Sequence, residues 1–213
     1  ISRRMTFRPS QVAEIEFHRQ MTDLVTNQAQ TLDIYLDTVQ KQNAALAAMD
    51  EVKDVAGGRG NKDYVGNIFS RLGTDNSSIN AVVLTDKNAD IICGRAPSAL
   101  KDDLSMITAE GVQNDVLYIG DTANKLMFIR TAVGDKYLVT FYNIAADTFL
   151  CKIPANSTFY NKGMVRVVDP RNNWISDANA GTNLIEQYTQ TVVDRIATLN
   201  DGEVTDIIEF DGD

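Results

Sequence analysis

The stretch Ile79–Arg95, INAVVLTDKNADIICGR, decides the fold of this chain. Its first apolar run, Ala81–Leu84, ends at the polar turn Asp86-Lys87-Asn88, and a second apolar run, Ile91–Cys93, follows at once. Two short runs rich in β-branched residues around an Asx-containing turn are typical of a β-hairpin. The sequence therefore predicts a hairpin here, and the rest of the chain is interpreted outward from it.

A second hairpin pattern occurs in Met164–Ala178, MVRVVDPRNNWISDA, with its turn at Asp169-Pro170-Arg171-Asn172-Asn173. Both patterns are followed by a helix-like segment and then by a strand-like run. These pairs are Asp102–Val112 with Val116–Gly120, and Asn183–Leu199 with Val204–Phe210. We interpret the chain as two copies of one α+β module. Because a turn signal ends the second copy at Asp211-Gly212-Asp213, we expect either that the natural protein continues beyond Asp213 or that Val204–Phe210 pairs elsewhere.

Working back towards the N-terminus, the apolar spacing of Pro9–Val55 predicts one continuous helix, on the order of 60 to 70 Å long. Part of so long a helix is expected to pack against a second copy of itself, which gives a homodimer. His18 lies on this helix and is interpreted as a solvated side chain. The glycine-rich run Gly57–Asn61 lacks the Gly-Lys-Ser/Thr ending of a phosphate-binding loop, so we interpret it as a flexible link.

After this link, Asp63–Leu72 predicts a second helix that Gly73 closes. Beyond the hairpin, the strand-like runs Val116–Gly120, Leu126–Val133 and Tyr137–Ile144 complete a five-stranded antiparallel sheet. Ala145–Lys152 predicts a helical turn leading to the second module. The expected domains are 1–60 (long helix and link), 61–155 (first module) and 156–213 (second module, truncated).

Composition and motifs argue against several classes of function. The 213 residues carry a formal net charge of −9, and they contain neither a basic cluster for nucleic acid nor a membrane-spanning apolar run. Because the chain begins at Ile1, flanking segments, membrane spans included, are expected in the natural protein. Cys93 and Cys151 fit no metal motif, which leaves two buried thiols or, in an oxidising compartment, a disulfide. No catalytic, metal-binding or cofactor-binding pattern is present, so the sequence predicts no enzyme.

The candidate ligand-binding residues are polar and aromatic side chains near the last three strands of the first module: Tyr118, Asp121, Arg130, Tyr137, Thr140, Tyr142 and Asn143. Arg130 follows the apolar run Leu126–Ile129, where a guanidinium needs an acidic partner. Either Arg130 lies at the sheet surface or pairs with a structural Asp, or it contacts a carboxylate or phosphate of a ligand. Trp174 is expected to be buried against the helix of the second module.

The order of a long N-terminal helix, a strand, an Asp-containing turn and a second strand resembles the extracytoplasmic double-Cache sensors, PAS-like domains of bacterial transmembrane receptors. The stretch Lys136–Phe149, KYLVTFYNIAADTF, resembles the family's final strand and linking helix. The stretch Gly163–Gly181 resembles the hairpin that opens the membrane-proximal module. The Arg-Pro-Tyr-Phe-like segment of amino-acid-binding members is missing, and Asn143 aligns with the Asp that holds the ligand amine in those members.

This resemblance implies a ligand-sensing input domain outside the cytoplasm, anchored to the membrane through its parent protein and binding a small polar metabolite. The output would be a histidine kinase, a chemoreceptor or a nucleotide cyclase. Two alternatives stay open: a cytoplasmic PAS-like regulatory or protein-interaction module, and an enzyme of unrecognised type. Hydrophobic spans encoded on either side of this segment would distinguish the membrane receptor from the cytoplasmic module.

Overall fold

The computed structural model describes residues 9–121, 124–144 and 170–171. Three helices come first: α1 (Pro9–Ala48), α2 (Asp50–Ala56) and α3 (Lys62–Asp75). Five strands follow: β1 (Ile79–Thr85), β2 (Ile91–Gly94), β3 (Leu117–Asp121), β4 (Leu126–Val133) and β5 (Lys136–Asn143). Two 3-10 turns, Ser98–Leu100 and Ser105–Ile107, lie between β2 and β3. The chain is therefore an α+β protein, with a long N-terminal helix and a sheet flanked by helices.

The N-terminal helix is long but not continuous, so the prediction of one helix over Pro9–Val55 is wrong. Helix α1 has 40 residues and ends at Ala48, because Met49 adopts an extended conformation with φ −60° and ψ 134°. The break reorients the chain, and α2 buries Val52 and Val55 almost completely. A straight helix aligns its apolar stripe with one direction only, so packing against the sheet overrides local helix propensity at this point.

Only the C-terminal part of α1 packs closely against the sheet. Val39, Asn43 and Ala47, four residues apart, form its buried stripe. Between residues 15 and 31, no described side chain is buried, and Ile15, Phe17 and Val25 are exposed. Helix α1 thus extends beyond the sheet and presents apolar side chains there.

The glycine-rich run after α2 is a hydrogen-bonded helix end rather than the flexible link predicted. The amides of Arg59 and Gly60 both donate to the carbonyl of Asp54, at 2.8 and 3.0 Å. A Cβ at Gly60 would lie 2.6 Å from the backbone nitrogen of Val55, so only glycine fits. Asn61 then caps α3 by accepting the amide of Tyr64 at 3.1 Å.

The predicted second helix is confirmed but longer than expected. Helix α3 continues through Gly73 to Asp75, so Gly73 does not close it. Its buried residues, Val65 and Phe69, are four positions apart and contact the sheet.

The hairpin and the five-stranded antiparallel sheet are confirmed. Strand order is β2-β1-β5-β4-β3. At the hairpin turn, Asp86 Oδ1 accepts the amides of Asn88 and Asp90 at 2.8 and 2.9 Å, the Asx geometry that the sequence indicates. Strands β4 and β5 pair over their whole length, from Leu126 opposite Asn143 to Val133 opposite Lys136.

The segment Asp102–Val112 is not the helix that the sequence predicts. The two 3-10 turns are separated by irregular backbone, and Gly111 has a φ of +84°, outside the helical region. Asp103 accepts the amide and the hydroxyl of Ser105, which competes with helical hydrogen bonding. The carbonyls of Ile107 and Val112 are taken by a side chain of the sheet, described below.

The structure describes little of the second module. Pro170 and Arg171 lie in a turn, where the sequence predicts one. The other predictions for the second half fall outside the described residues: Ala145–Lys152, Cys151, Trp174, Asn183–Leu199, Val204–Phe210 and the domain boundaries at 155 and 156.

Candidate functional site

The sheet is covered on its two faces by different kinds of structure. The three helices pack on one face. On the other face lies the connection between β2 and β3, residues 95–116, which we call the lid. The lid contributes apolar side chains such as Leu100, Leu104 and Ile107, which pack with Phe128 and Phe141 of the sheet. A loop over a sheet face is the arrangement in which a small-molecule site forms most readily.

Arg130 of β4 holds the lid against the sheet. Its side chain points to the lid face and the residue is only 8% exposed. The guanidinium Nη1 donates to the carbonyl of Ile107 at 2.7 Å and Nη2 to that of Val112 at 2.7 Å. Nε donates to Oδ1 of Asn114 at 2.9 Å. One side chain therefore binds the lid at three points.

Among the described residues, no acidic side chain pairs with the buried charge of Arg130. None of the ion pairs among the described residues includes it, and its hydrogen-bond acceptors are all neutral. The centroid of the Tyr137 ring lies 4.4 Å from the guanidinium carbon, and this cation–π contact offsets part of the free-energy cost of burying the charge. Buried charges are usually paired with an opposite charge, so the donors of this guanidinium are suited to bind an anion.

Tyr118 of β3 binds the lid close to Arg130. Its ring is buried and stacks with Phe128 at a centroid distance of 5.8 Å. Its hydroxyl donates to the carbonyl of Gly111 and accepts the amide of Gln113, both at 3.2 Å. Tyr118 and Arg130 thus fix the same part of the lid from two strands.

Asp115 closes the lid at its C-terminal end. Its amide donates to the Arg130 carbonyl at 2.7 Å, and its Oδ1 accepts the hydroxyl of Thr131 at 2.7 Å. Its own carbonyl accepts Nε2 of Gln40, on α1, at 2.8 Å. This residue connects the lid to both the sheet and the long helix. The sequence analysis missed Asp115 and Asn114, because neither lies in a motif and their roles depend on long-range contacts.

Two of the predicted residues lie on the opposite face. Residues of β5 alternate between faces, so Tyr137 faces the lid whereas Thr140 and Tyr142 face α1. The Thr140 hydroxyl donates to Oδ1 of Asn43 at 2.6 Å. Tyr142 Oη lies near the Asn43 side chain, but neither Tyr142 Oη nor Asn43 Nδ2 makes a hydrogen bond of good geometry in the described part of the chain. Burial, reinforced by Tyr35 nearby, raises the pKa of Tyr142 well above that of an exposed tyrosine.

The last two predicted residues hold strand ends in place. Asn143 accepts Nδ2 of Asn80 at 2.9 Å and donates its amide to Ser78 at 2.9 Å, which ties the end of β5 to the start of β1. The Asp121 carboxylate accepts the amide of Asn124 at 3.1 Å and its Nδ2 at 2.9 Å, and so shapes the β3–β4 turn. Of the seven predicted residues, the structure therefore brings Tyr118, Arg130 and Tyr137 together at the lid.

Three surface cavities have volumes of about 380, 400 and 560 Å³, and none of the seven predicted residues lines them. The smallest lies between the hairpin turn and lid residues 101–105. The largest lies between α3 and β2, beside Cys93, whose pKa is raised by burial. A ligand at Arg130 therefore requires the lid to move, because Phe128, Val139 and Phe141 fill the space beneath it.

Groups that could hold a metal ion, three or more His, Cys, Asp or Glu side chains together, are not found within residues 9–121, 124–144 and 170–171. Among the helices described, none combines the length and apolarity needed to cross a bilayer.

Comparison of this chain with protein-family models, with curated proteins and with solved structures finds no match.

Proposed function

We propose that this chain is a ligand-sensing input domain of a bacterial transmembrane receptor, lies outside the cytoplasm and binds a small acidic metabolite. The long N-terminal helix, the opening hairpin and the antiparallel sheet agree with the arrangement that a double-Cache, PAS-like domain implies. Asn143 aligns with the Asp that holds the ligand amine in amino-acid-binding members, but its side chain binds Asn80. We therefore do not propose an amine site at Asn143.

The observation that carries the proposal is the Arg130 guanidinium, buried on neutral acceptors under a loop. A carboxylate forms two parallel hydrogen bonds with an arginine fork, and it adds an attraction between opposite charges that a neutral carbonyl lacks. A ligand carboxylate would replace the carbonyls of Ile107 and Val112 at Nη1 and Nη2. Tyr137, already against the guanidinium, would form one wall of the site.

Binding at Arg130 would also generate a signal. The lid and the ligand compete for the same donors, so a bound carboxylate releases the lid from its position against the sheet. A ligand shifts such an equilibrium by its difference in affinity for the two states. The Gln40–Asp115 hydrogen bond then connects a lid movement to helix α1.

Helix α1 is the proposed contact between two copies of the chain. Ile15 and Val25 are 58% and 43% exposed, and no described side chain between residues 15 and 31 is buried. Apolar side chains at that exposure favour a partner helix, and we propose that this partner is the second copy.

A thermal-shift screen of carboxylates, amino acids, amines and purines tests the proposal. An acid at one hundred times its Kd should stabilise the protein by about 2.7 kcal/mol. Arg130→Lys keeps the charge but loses the planar fork, so affinity for that acid should fall by at least about tenfold in calorimetry. Arg59→Lys, at an exposed arginine, is the matched control and should bind normally.

The ligand assignment is wrong if no acid stabilises the protein, or if Arg130→Lys binds the acid as tightly as the natural sequence does. The location is tested separately by the parent gene. Hydrophobic spans on both sides of this segment support a receptor, and their absence supports a cytoplasmic PAS-like module instead.

A further inference from the structure

Arg171 connects the second half of the chain to the sheet. This residue lies in the turn that the sequence predicts as the opening of the second module. Its Nη2 donates to the carbonyl of Ile119 in β3 at 2.6 Å. The guanidinium also lies over the ring of Tyr118, with its central carbon 5.0 Å from the ring centroid. Arg171 thus fixes both the backbone of β3 and one face of Tyr118.

Tyr118 continues this path into the lid. Its hydroxyl binds Gly111 and Gln113, which flank Val112, and the carbonyl of Val112 accepts Nη2 of Arg130. The contacts from Arg171 to Arg130 are therefore continuous, through one aromatic ring and three residues of the lid. Phe128 stacks with the Tyr118 ring, and Arg171 lies over the same ring. A substitution at Arg171 therefore removes one of the contacts that hold the ring in place.

We infer that Arg171 is a positioning residue that couples the turn at Pro170–Arg171 to the lid through Tyr118. With Arg171 in place, the Tyr118 hydroxyl holds Gln113, and the lid stays closed on Arg130. Movement of the lid conversely loosens Tyr118 and weakens the contact of Arg171. The direction of signalling, from a ligand at Arg130 to the second module, rests on the proposed function; the coupling itself does not.

Amide hydrogen exchange of Gln113, followed by NMR, tests the coupling in the absence of any ligand. The Gln113 amide donates to the Tyr118 hydroxyl, so its exchange rate reports directly on that bond. Arg171→Ala should accelerate exchange of this amide by roughly three- to tenfold, the size of effect that loss of a cation–π contact allows. The amide of Val65 in α3 donates to the carbonyl of Asn61, and its exchange rate should stay unchanged and serves as the internal reference.

Two further variants separate coupling from a general loss of stability. Tyr118→Phe removes the bonds to the lid but keeps a ring beneath Arg171. If Arg171 acts through the hydroxyl, Arg171→Ala should add nothing to the exchange rate of Gln113 in the Tyr118→Phe background. Arg171→Lys, which keeps the charge and a donor, should restore most of the protection that Arg171→Ala loses.

The inference is overturned by any of three results: an unchanged Gln113 rate in Arg171→Ala, equal acceleration of Gln113 and Val65, or additive effects of the two substitutions. Because the experiment contains no ligand, its failure leaves the proposed acid site standing. A failed ligand screen likewise leaves the coupling intact.

Discussion

Replacement of Arg130 by methionine tests whether this side chain holds the lid. The substitution keeps an unbranched apolar stem and removes every donor. It leaves the carbonyls of Ile107 and Val112, each 2.7 Å from a guanidinium nitrogen in buried surroundings, without these partners. Each unsatisfied buried carbonyl costs roughly 1 to 3 kcal/mol, and the lost contact with Tyr137 adds about 0.5 to 1 kcal/mol.

Removing the buried charge offsets part of this loss, because the guanidinium no longer has to be desolvated. We therefore expect Arg130→Met to lower the free energy of unfolding by about 3 kcal/mol. For a chain of this length, that corresponds to a fall in Tm of roughly 6 to 12 °C.

Urea unfolding followed by circular dichroism gives the free energy, and exchange of the lid amides locates the effect. Arg59→Met is the matched control: its side chain is 82% exposed, so we expect a change of less than about 0.5 kcal/mol. A loss below about 1 kcal/mol in Arg130→Met, or a larger loss with unchanged exchange in the lid, would refute the reasoning that Arg130 clamps the lid.

Three further predictions concern other contacts. Thr140→Val should cost about 1 to 2 kcal/mol in unfolding experiments, because it takes the Thr140 hydroxyl from Asn43 Oδ1. Tyr142→Phe should cost less, because the Tyr142 hydroxyl makes no hydrogen bond of good geometry with a described residue; a larger loss in Tyr142→Phe than in Thr140→Val would contradict this. Burial raises the pKa of Tyr142, so above the pKa of an unfolded tyrosine, near 10, the unfolded state loses its proton first and the folded state becomes less stable. Between pH 9 and 11 the Tm should therefore fall less for Tyr142→Phe than for the natural sequence, and equal falls in Tm would count against the burial of Tyr142. Gly94→Ala should destabilise by at least about 2 kcal/mol more than Gly58→Ala, since both glycines have positive φ but only a Cβ at Gly94 would meet a backbone oxygen, that of Val82 at 2.4 Å; equal losses in urea unfolding would contradict the role of this close approach.

The hairpin and the strands were predictable because their signals are local. Strand β4 has the predicted limits, Leu126–Val133, and β5 differs from its prediction by one residue at each end. Runs of β-branched and aromatic residues separated by Asp86-Lys87-Asn88 or by Gly134-Asp135 specify strands and turns without reference to distant residues.

The candidate site was predictable only in part. Tyr118, Arg130 and Tyr137 were selected by residue type, and the structure places them together. Thr140 and Tyr142 were selected for the same reason, yet strand alternation sends them to the helix face, where Thr140 binds Asn43. Knowing which face of β5 meets the lid requires the whole sheet.

The sequence by itself determined the antiparallel sheet and its order of strands along the chain, because period and turn chemistry act over a few residues. Only the tertiary structure decided where α1 ends and what covers the lid face. Met49 interrupts a sequence with good helical spacing because Val52 and Val55 gain more by burial against the sheet. Residues 102–112 do not form the predicted helix, because Arg130, encoded 23 residues after Ile107, takes the Ile107 carbonyl that a helix would pair with the amide of Gly111.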